Sequence, residues 1–423
     1  MTTIESLFGV VLFGLVCLLT STVEYRRDRA LITPFNALAW PFFIIVALIN
    51  LVAVRLGFFA VSLTSLLFII AGLIFFKAGD LTVKKLRPLR LGQPPPQDLN
   101  FFAFYRPVFV ALALISLLAG FIHFQNALKL VGGWIGIASP DFEDAFGKGL
   151  LAHIMVLNRP AMLFLVADYF QHRKPYILVL IALMFISILI LQIKFHIITI
   201  LIASILFSHF YKPIHFNLKK TLFYSLTIYG LFNLSYTIGF SRIGVGQAYS
   251  SNIQLYLLNH FFTYLFGGPI GFSEILSNPI YPLYAYEPVF SVPINIYRTL
   301  TGNPQVVDTI IHHWVPVSNI YQYFHSSNVF TLMGMLYMFI GPYWTLIYMY
   351  CLGTLFSVLQ FKAKVSMGWR MVYAFFMAHL IISFFGLYFN FLLLWEAAIF
   401  MLVMPWGFRV LHRGLQAINR SLT

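Results

Sequence analysis

The chain has 423 residues, of which 60% are apolar, 18% aromatic and only 9% charged. So few charges exclude a soluble globular domain of this length, whose surface they would have to keep wet. The formal charge of +14 does not point to nucleic acid, because the basic residues gather at alternate ends of apolar runs.

Apolar runs long enough to cross a hydrocarbon core of about 30 Å as helices are predicted at 7–22, 37–54, 59–76, 107–123, 149–170, 176–192, 195–211, 221–238, 331–360, 371–386 and 390–408. A transmembrane β-barrel would show short alternating strands instead. The fold class expected is therefore an all-α polytopic membrane protein of about eleven transmembrane helices. It would form a single membrane-embedded domain, 1–423, with one large extracytoplasmic segment, 239–329. The ninth span is over-long and interrupted by Gly341-Pro342, which predicts a kinked or re-entrant element. Residues 1–6 hold Glu5 and no Lys or Arg, unlike the basic start of a cleavable signal peptide, so the first span is expected to stay in the mature protein. Cys17 and Cys351 both fall in apolar spans and imply neither a disulfide framework nor a thiolate metal site.

Charge then orients the chain. The clusters Arg26-Arg27, Lys84-Lys85, Arg173-Lys174, Lys219-Lys220, Lys362/Lys364/Arg370 and Arg409/Arg413 all fall on one side of this map. The positive-inside rule makes that side cytoplasmic, with the N-terminus periplasmic and the C-terminus cytoplasmic. Residues 77–104, basic and carrying Gly92-Gln93-Pro94-Pro95-Pro96, read as an extended cytoplasmic linker. No internal repeat is evident.

The segment 239–329 is too long for a turn and too apolar for disorder. Within it, 252–267 (NIQLYLLNHFFTYLFG) is too short to span and is expected to lie along the membrane surface or dip into it. A second short helix is expected to start at Asn303-Pro304, with Asn as cap and Pro at the first helical position, and to run through PQVVDTIIHHW. Tyr249, Tyr256, Tyr264, Tyr284, Tyr286 and Tyr297 crowd the region. They suit an aromatic belt at the interface, with a surface on which sugar rings stack as the alternative.

Ionisable groups in or beside a bilayer are costly and so mark candidate sites. Arg242 lies in a glycine-rich exit from the eighth span, Arg298 in Asn295-Ile-Tyr-Arg-Thr, Lys194 in the turn between spans six and seven, and Arg159, before Pro160, inside span five. Cations on the outer face, against the positive-inside bias, suit an anionic lipid-linked ligand such as a pyrophosphate, because a guanidinium binds phosphate oxygens in pairs. The competing reading is snorkelling to headgroups or a structural carboxylate partner. For Arg159 that partner would be Glu396 in the last span. Candidates for a general base are His312 and His313, with Glu287; His325 and Tyr249 are further candidates for substrate contact. Metal binding by His312 and His313 is not expected, since neighbours on a helix point about 100° apart and no third ligand is suitably spaced.

Three stretches resemble the bacterial oligosaccharide repeat-unit polymerases, the Wzy-type O-antigen and capsule polymerases. They are Ser327-Asn328-Val329-Phe330-Thr331 followed by MLYMFIGPYWTLIYMYCLG, the turn Leu191–His196 with Gln192-Ile193-Lys194, and Arg242 opening the large loop. The resemblance implies a metal-independent, cofactor-free glycosyltransferase of the bacterial inner membrane. It would move a glycan from undecaprenyl pyrophosphate onto the next lipid-linked repeat unit, with a chain-length regulator as a possible partner. An O-antigen ligase shares this topology and donor. A transporter or flippase would need polar residues along several spans, whereas here polarity gathers outside them.

Overall fold

The computed structural model describes all residues except 1–3, 87–100, 191–193, 213–218, 220–225, 228, 231–232, 234–252, 279–283, 304, 308, 310, 312, 321–324 and 423. Seven helices among the described residues are long and apolar enough to cross a membrane: Ile4–Asp28, Pro34–Leu51, Leu63–Leu86, Phe101–Leu130, Leu150–His172, Leu332–Ala363 and Leu392–Gly414. Shorter apolar helices follow at Pro175–Ile190 and Phe195–His209. The chain is an all-α, membrane-embedded protein. The span expected at 221–238 falls largely outside the described residues, as does the proline run of the linker. The linker's flanks are helical, because Leu63–Leu86 and Phe101–Leu130 extend into it.

In chain order the helices are α1 (Ile4–Asp28), α2 (Pro34–Leu51), α3 (Leu63–Leu86), α4 (Phe101–Leu130), α5 (Pro140–Gly147), α6 (Leu150–Met155), α7 (Asn158–His172), α8 (Pro175–Ile190) and α9 (Lys194–His209). They continue with α10 (Ile253–Ser277), α11 (Ser291–Leu300), α12 (Leu332–Ala363), α13 (Met367–Ile381) and α14 (Leu392–Leu422). Two residue pairs, Val315–Pro316 and Ser326–Ser327, form a minimal antiparallel ladder. The chain divides into two compact units, one of Met1–Arg90, Asn252–Val358 and His379–Leu392, the other of Leu91–Ser251, Leu359–Ala378 and Leu393–Thr423.

In the first unit, α1 packs on α2 and α3, and α10 packs on α2 and α3. Lipid supplies no hydrophobic drive between helices, so close backbone approach has to come from small residues. A Cβ on Gly353 would stand 1.9 Å from the Phe76 carbonyl oxygen, and one on Gly79 2.0 Å from that of Tyr350. These glycines seat α3 against α12. Gly353→Val is therefore expected to cut the yield of membrane-integrated protein severalfold, while Gly407→Ala, which meets no neighbour, leaves it unchanged. Quantifying folded protein in membranes checks both. Earlier in α12, Gly341 (φ 77, ψ 176) breaks the helix just before Pro342, as the sequence predicts.

Two expectations are corrected. The stretch expected to stop at Gly267 continues through Pro269 to Ser277. Its glycines are contact points, with Gly267 against Ser327 and Gly268 against the Phe384 carbonyl. At 25 residues it measures about 37 Å at 1.5 Å per residue. The second short helix is Ser291–Leu300, which ends at Gly302 (φ 74). Of the segment from Asn303 onward, residues 303, 305–307, 309, 311, 313 and 314 are not helical. There Asn303 Oδ1 accepts from Gln305 N (3.0 Å), but the Val307 N–H donates to the Asn295 side chain (2.8 Å), so the local cap does not propagate.

Residues 382–391, between α13 and α14, are non-helical yet mostly buried. Irregular backbone of this kind needs partners inside the protein. Leu332 N donates to Ser383 O (2.8 Å), Ser291 Oγ to Asn390 O (2.6 Å) and Asn390 Nδ2 to Pro288 O (2.9 Å). Among the basic residues assigned inside, Lys77 and Lys84 turn out to be neutralised. Glu24, fully buried, pairs with Lys77 and accepts from Thr33, the cap of α2. Asp80 pairs with Lys77 (2.8 Å) and Lys84 (2.9 Å), and Asp28 with Lys84 (3.1 Å).

Candidate functional site

In the second unit, α6 and α7 follow one another with a tight join, and Pro160 is its cause. Proline has no N–H to give the carbonyl four residues back. The Val156 carbonyl instead accepts from Arg159 N (3.0 Å), and Leu157 N reaches Ile154 O (3.1 Å). Asn158 pins the start of α7 by donating to Met184 O (3.1 Å) and Ser187 Oγ (2.8 Å) on α8.

Arg159, held at this join, is 3% exposed. Its Nη1 reaches the Met155 carbonyl at 3.5 Å, and its Nη2 makes no hydrogen bond. The carboxylate partner expected for it, Glu396, is engaged elsewhere: its Oε1 meets His153 Nδ1 at 2.7 Å. Glu396 still acts on Arg159 through space, but no direct ion pair forms between them. His153 sits on α6 and is about half exposed, which leaves Nε2 for a second partner. On α4, His123 is buried, and its Nε2 makes no hydrogen bond. Thus a buried guanidinium and a histidine–carboxylate pair are brought together on α6, α7 and α14. A carboxylate on one imidazole nitrogen fixes the tautomer and the orientation of the ring.

In the first unit, Glu287 and Arg298 are bonded to each other. Arg298 Nη2 lies 3.1 Å from both carboxylate oxygens, and Nη1 donates to Gln305 O (3.4 Å). This closes the loop around α11. The Glu287 side chain is 46% exposed, so the pair contributes no more than about 1 kcal/mol. Glu287→Gln/Arg298→Gln should melt within that margin of the parent. A larger loss on thermal unfolding would show that the pair anchors the loop.

His313 is exposed and His325 half-buried in the same unit, and the His325 carbonyl accepts from Val317 N (2.8 Å). Tyr284, Tyr286 and Tyr297 are exposed. Arg242, Tyr249 and His312 lie outside the described residues. Lys194 opens α9, its side chain likewise outside them. No group of three or more metal-ligating side chains occurs among the described residues.

His123 and His153 escaped the sequence reading, although each is an ionisable residue inside an apolar run, the same signal that singled out Arg159. Two more buried histidines, His260 and His379 in the first unit, lie beside Tyr264 (4.8 Å) and Tyr388 (6.1 Å).

Residues 98–412 match a family described as a family of unknown function (DUF6337). No curated protein and no solved structure matches the chain.

Proposed function

We propose that this chain, which belongs to the DUF6337 family, is a glycosyltransferase that joins lipid-diphosphate-linked oligosaccharide repeat units at the outer face of a bacterial inner membrane. The observation that carries the reading is the buried guanidinium of Arg159, with Nη2 unbonded, beside the His153–Glu396 pair. The positive-inside pattern supports the placement. With the N-terminus outside and about eleven spans, residues 239–329 and the ends of α6 and α14 that carry His153 and Glu396 face the periplasm.

In this mechanism Arg159 Nη2 donates to the diphosphate of the donor and stabilises the charge that grows on it as the glycosyl–oxygen bond breaks. The acceptor sugar's hydroxyl oxygen forms the new bond to the anomeric carbon. Its proton passes to His153 Nε2, while Glu396 holds the Nδ1 proton and orients the ring. The bonding electrons leave with the lipid diphosphate. Phosphate binding by a guanidinium and proton transfer by a histidine–carboxylate pair need no metal ligand from the chain.

Deleting the gene is expected to leave glycans carrying a single repeat unit. Restoring the wild-type chain should restore polymer, and restoring Arg159→Lys should do so only in part, since the forked donor is lost. Sizing of extracted lipid-linked and surface glycans checks this. Polymer of normal length still held on the lipid carrier in the deletion strain would instead identify a ligase.

A further inference from the structure

The connection between α4 and α6 is built as a separate piece. At one end stand Gly132 (φ 77) and Gly133 (φ 102), at the other Gly147 and Gly149 (φ 92), and a Cβ at any of the four would meet nothing within 4 Å. Between these joints a short 3-10 turn, Trp134–Ala138, leads into α5, with Ser139 as the cap that accepts from Phe142 N and donates to Gly136 O (2.7 Å). The piece packs on the rest of the second unit mainly through apolar side chains, and the His123 imidazole hydrogen-bonds to the backbone of Phe146 and of Lys148. Ile137, Phe142 and Phe146 bury themselves against Ala127, Leu128 and Met155.

Beneath it lies His123, 8% exposed, its ring stacked on Phe146 at 5.3 Å (29° between planes), with Nε2 making no hydrogen bond. Buried polar atoms without partners are rare and call for an explanation. Among the described residues of this unit two nitrogens are in this state, His123 Nε2 and Arg159 Nη2, and Met155 connects their neighbourhoods. The Met155 carbonyl accepts from Arg159, and its side chain lies 3.6 Å from where a Cβ on Gly120, one turn before His123, would stand. Two nitrogens without hydrogen bonds, one of them beneath a glycine-flanked apolar cover, suit a phosphate head with a long hydrocarbon tail.

We infer that residues 134–146 are a glycine-hinged flap over a lipid-diphosphate site, and that His123 is a second phosphate-binding residue, used together with Arg159 once the flap lifts. This rests on the reading of Arg159 given above. When the flap lifts, the lipid tail takes the place of Phe142 and Phe146 against α4, His123 gives up its hydrogen bond to the Phe146 backbone, and Arg159 Nη2 and His123 Nε2 take diphosphate oxygens as partners.

The test uses the full chain in nanodiscs, with geranylgeranyl diphosphate, geranylgeraniol and inorganic diphosphate as probes. Geranylgeranyl diphosphate is expected to change backbone hydrogen exchange across 132–149 at least tenfold in the wild-type protein, and each half-molecule alone much less. His123→Phe, which keeps the ring and its stacking but has no N–H, should weaken binding at least tenfold. His123→Gln, which keeps a donor, should retain most of the affinity. Unaltered exchange across 132–149 in wild-type protein that binds the probe would overturn the flap, whatever the variants do. Full affinity in His123→Phe with lost affinity in Arg159→Met would remove His123 and leave the Arg159 reading standing. Full affinity in both variants would remove both.

Discussion

Arg159→Met should abolish polymer while leaving the protein at least as stable as its parent. The guanidinium is buried, one of its nitrogens bonds only to a carbonyl at 3.5 Å, and another bonds to nothing. A buried polar group left unsatisfied costs about 1–3 kcal/mol, and a buried charge without a direct partner costs more. Methionine fills much of the same volume with neither penalty. The expected gain is about 1–3 kcal/mol, seen as a higher melting temperature. An unsatisfied buried guanidinium calls for a partner that the chain itself does not supply. Glu396→Gln makes the contrast. His153 is half exposed and tolerates the loss of its partner, so stability should hold, while turnover falls by roughly 10²–10⁴ if the pair supplies the base. If Arg159→Met melts several degrees lower, Arg159 is a structural residue and the proposed site fails.

The largest loss of stability is expected at Asp168, near the end of α7. Its side chain is fully buried and accepts from Arg106 Nε (2.6 Å) and Nη2 (2.8 Å), with His172 Nδ1 at 2.7 Å. Both oxygens are thereby used, and the pair ties α4 to α7. Removing one member leaves the other charge in a low-dielectric setting without its counterpart, which costs about 3–5 kcal/mol. Asp168→Leu should therefore fail to accumulate, whereas Arg106→Met/Asp168→Leu should recover most of the yield. Membrane yield and melting of the two singles and the double measure the coupling directly. A double variant no better than the singles would show that hydrogen-bond geometry, and not charge balance, holds this end of the unit.

Transfer of apolar side chains from water to lipid is a local sum along the chain, so the sequence alone determined that this is an all-α membrane protein. Gly341-Pro342 was legible as a break for the same reason, since proline and glycine act on their own backbone. Gly267 and Gly268 misled for the opposite one. They looked like a helix end but serve close packing against Ser327 and Phe384, residues distant in sequence. Asn303-Pro304 carries a sound local start signal, but tertiary structure overrides it, because Asn295 takes the N–H that the next turn needs. The buried irregular segment 382–391 was hidden too, its hydrogen bonds going to Pro288, Ser291 and Leu332. Composition could single out Glu396 and Arg159 as costly in a membrane and Glu287 as a base candidate, but not say which partner each would meet. Only the tertiary structure decided that Glu396 turns to His153, that Glu287 and Arg298 use each other, and that Arg159 is left with a nitrogen to spare. Charge pairing depends on distances between helices, and these are set by packing that a linear pattern does not encode.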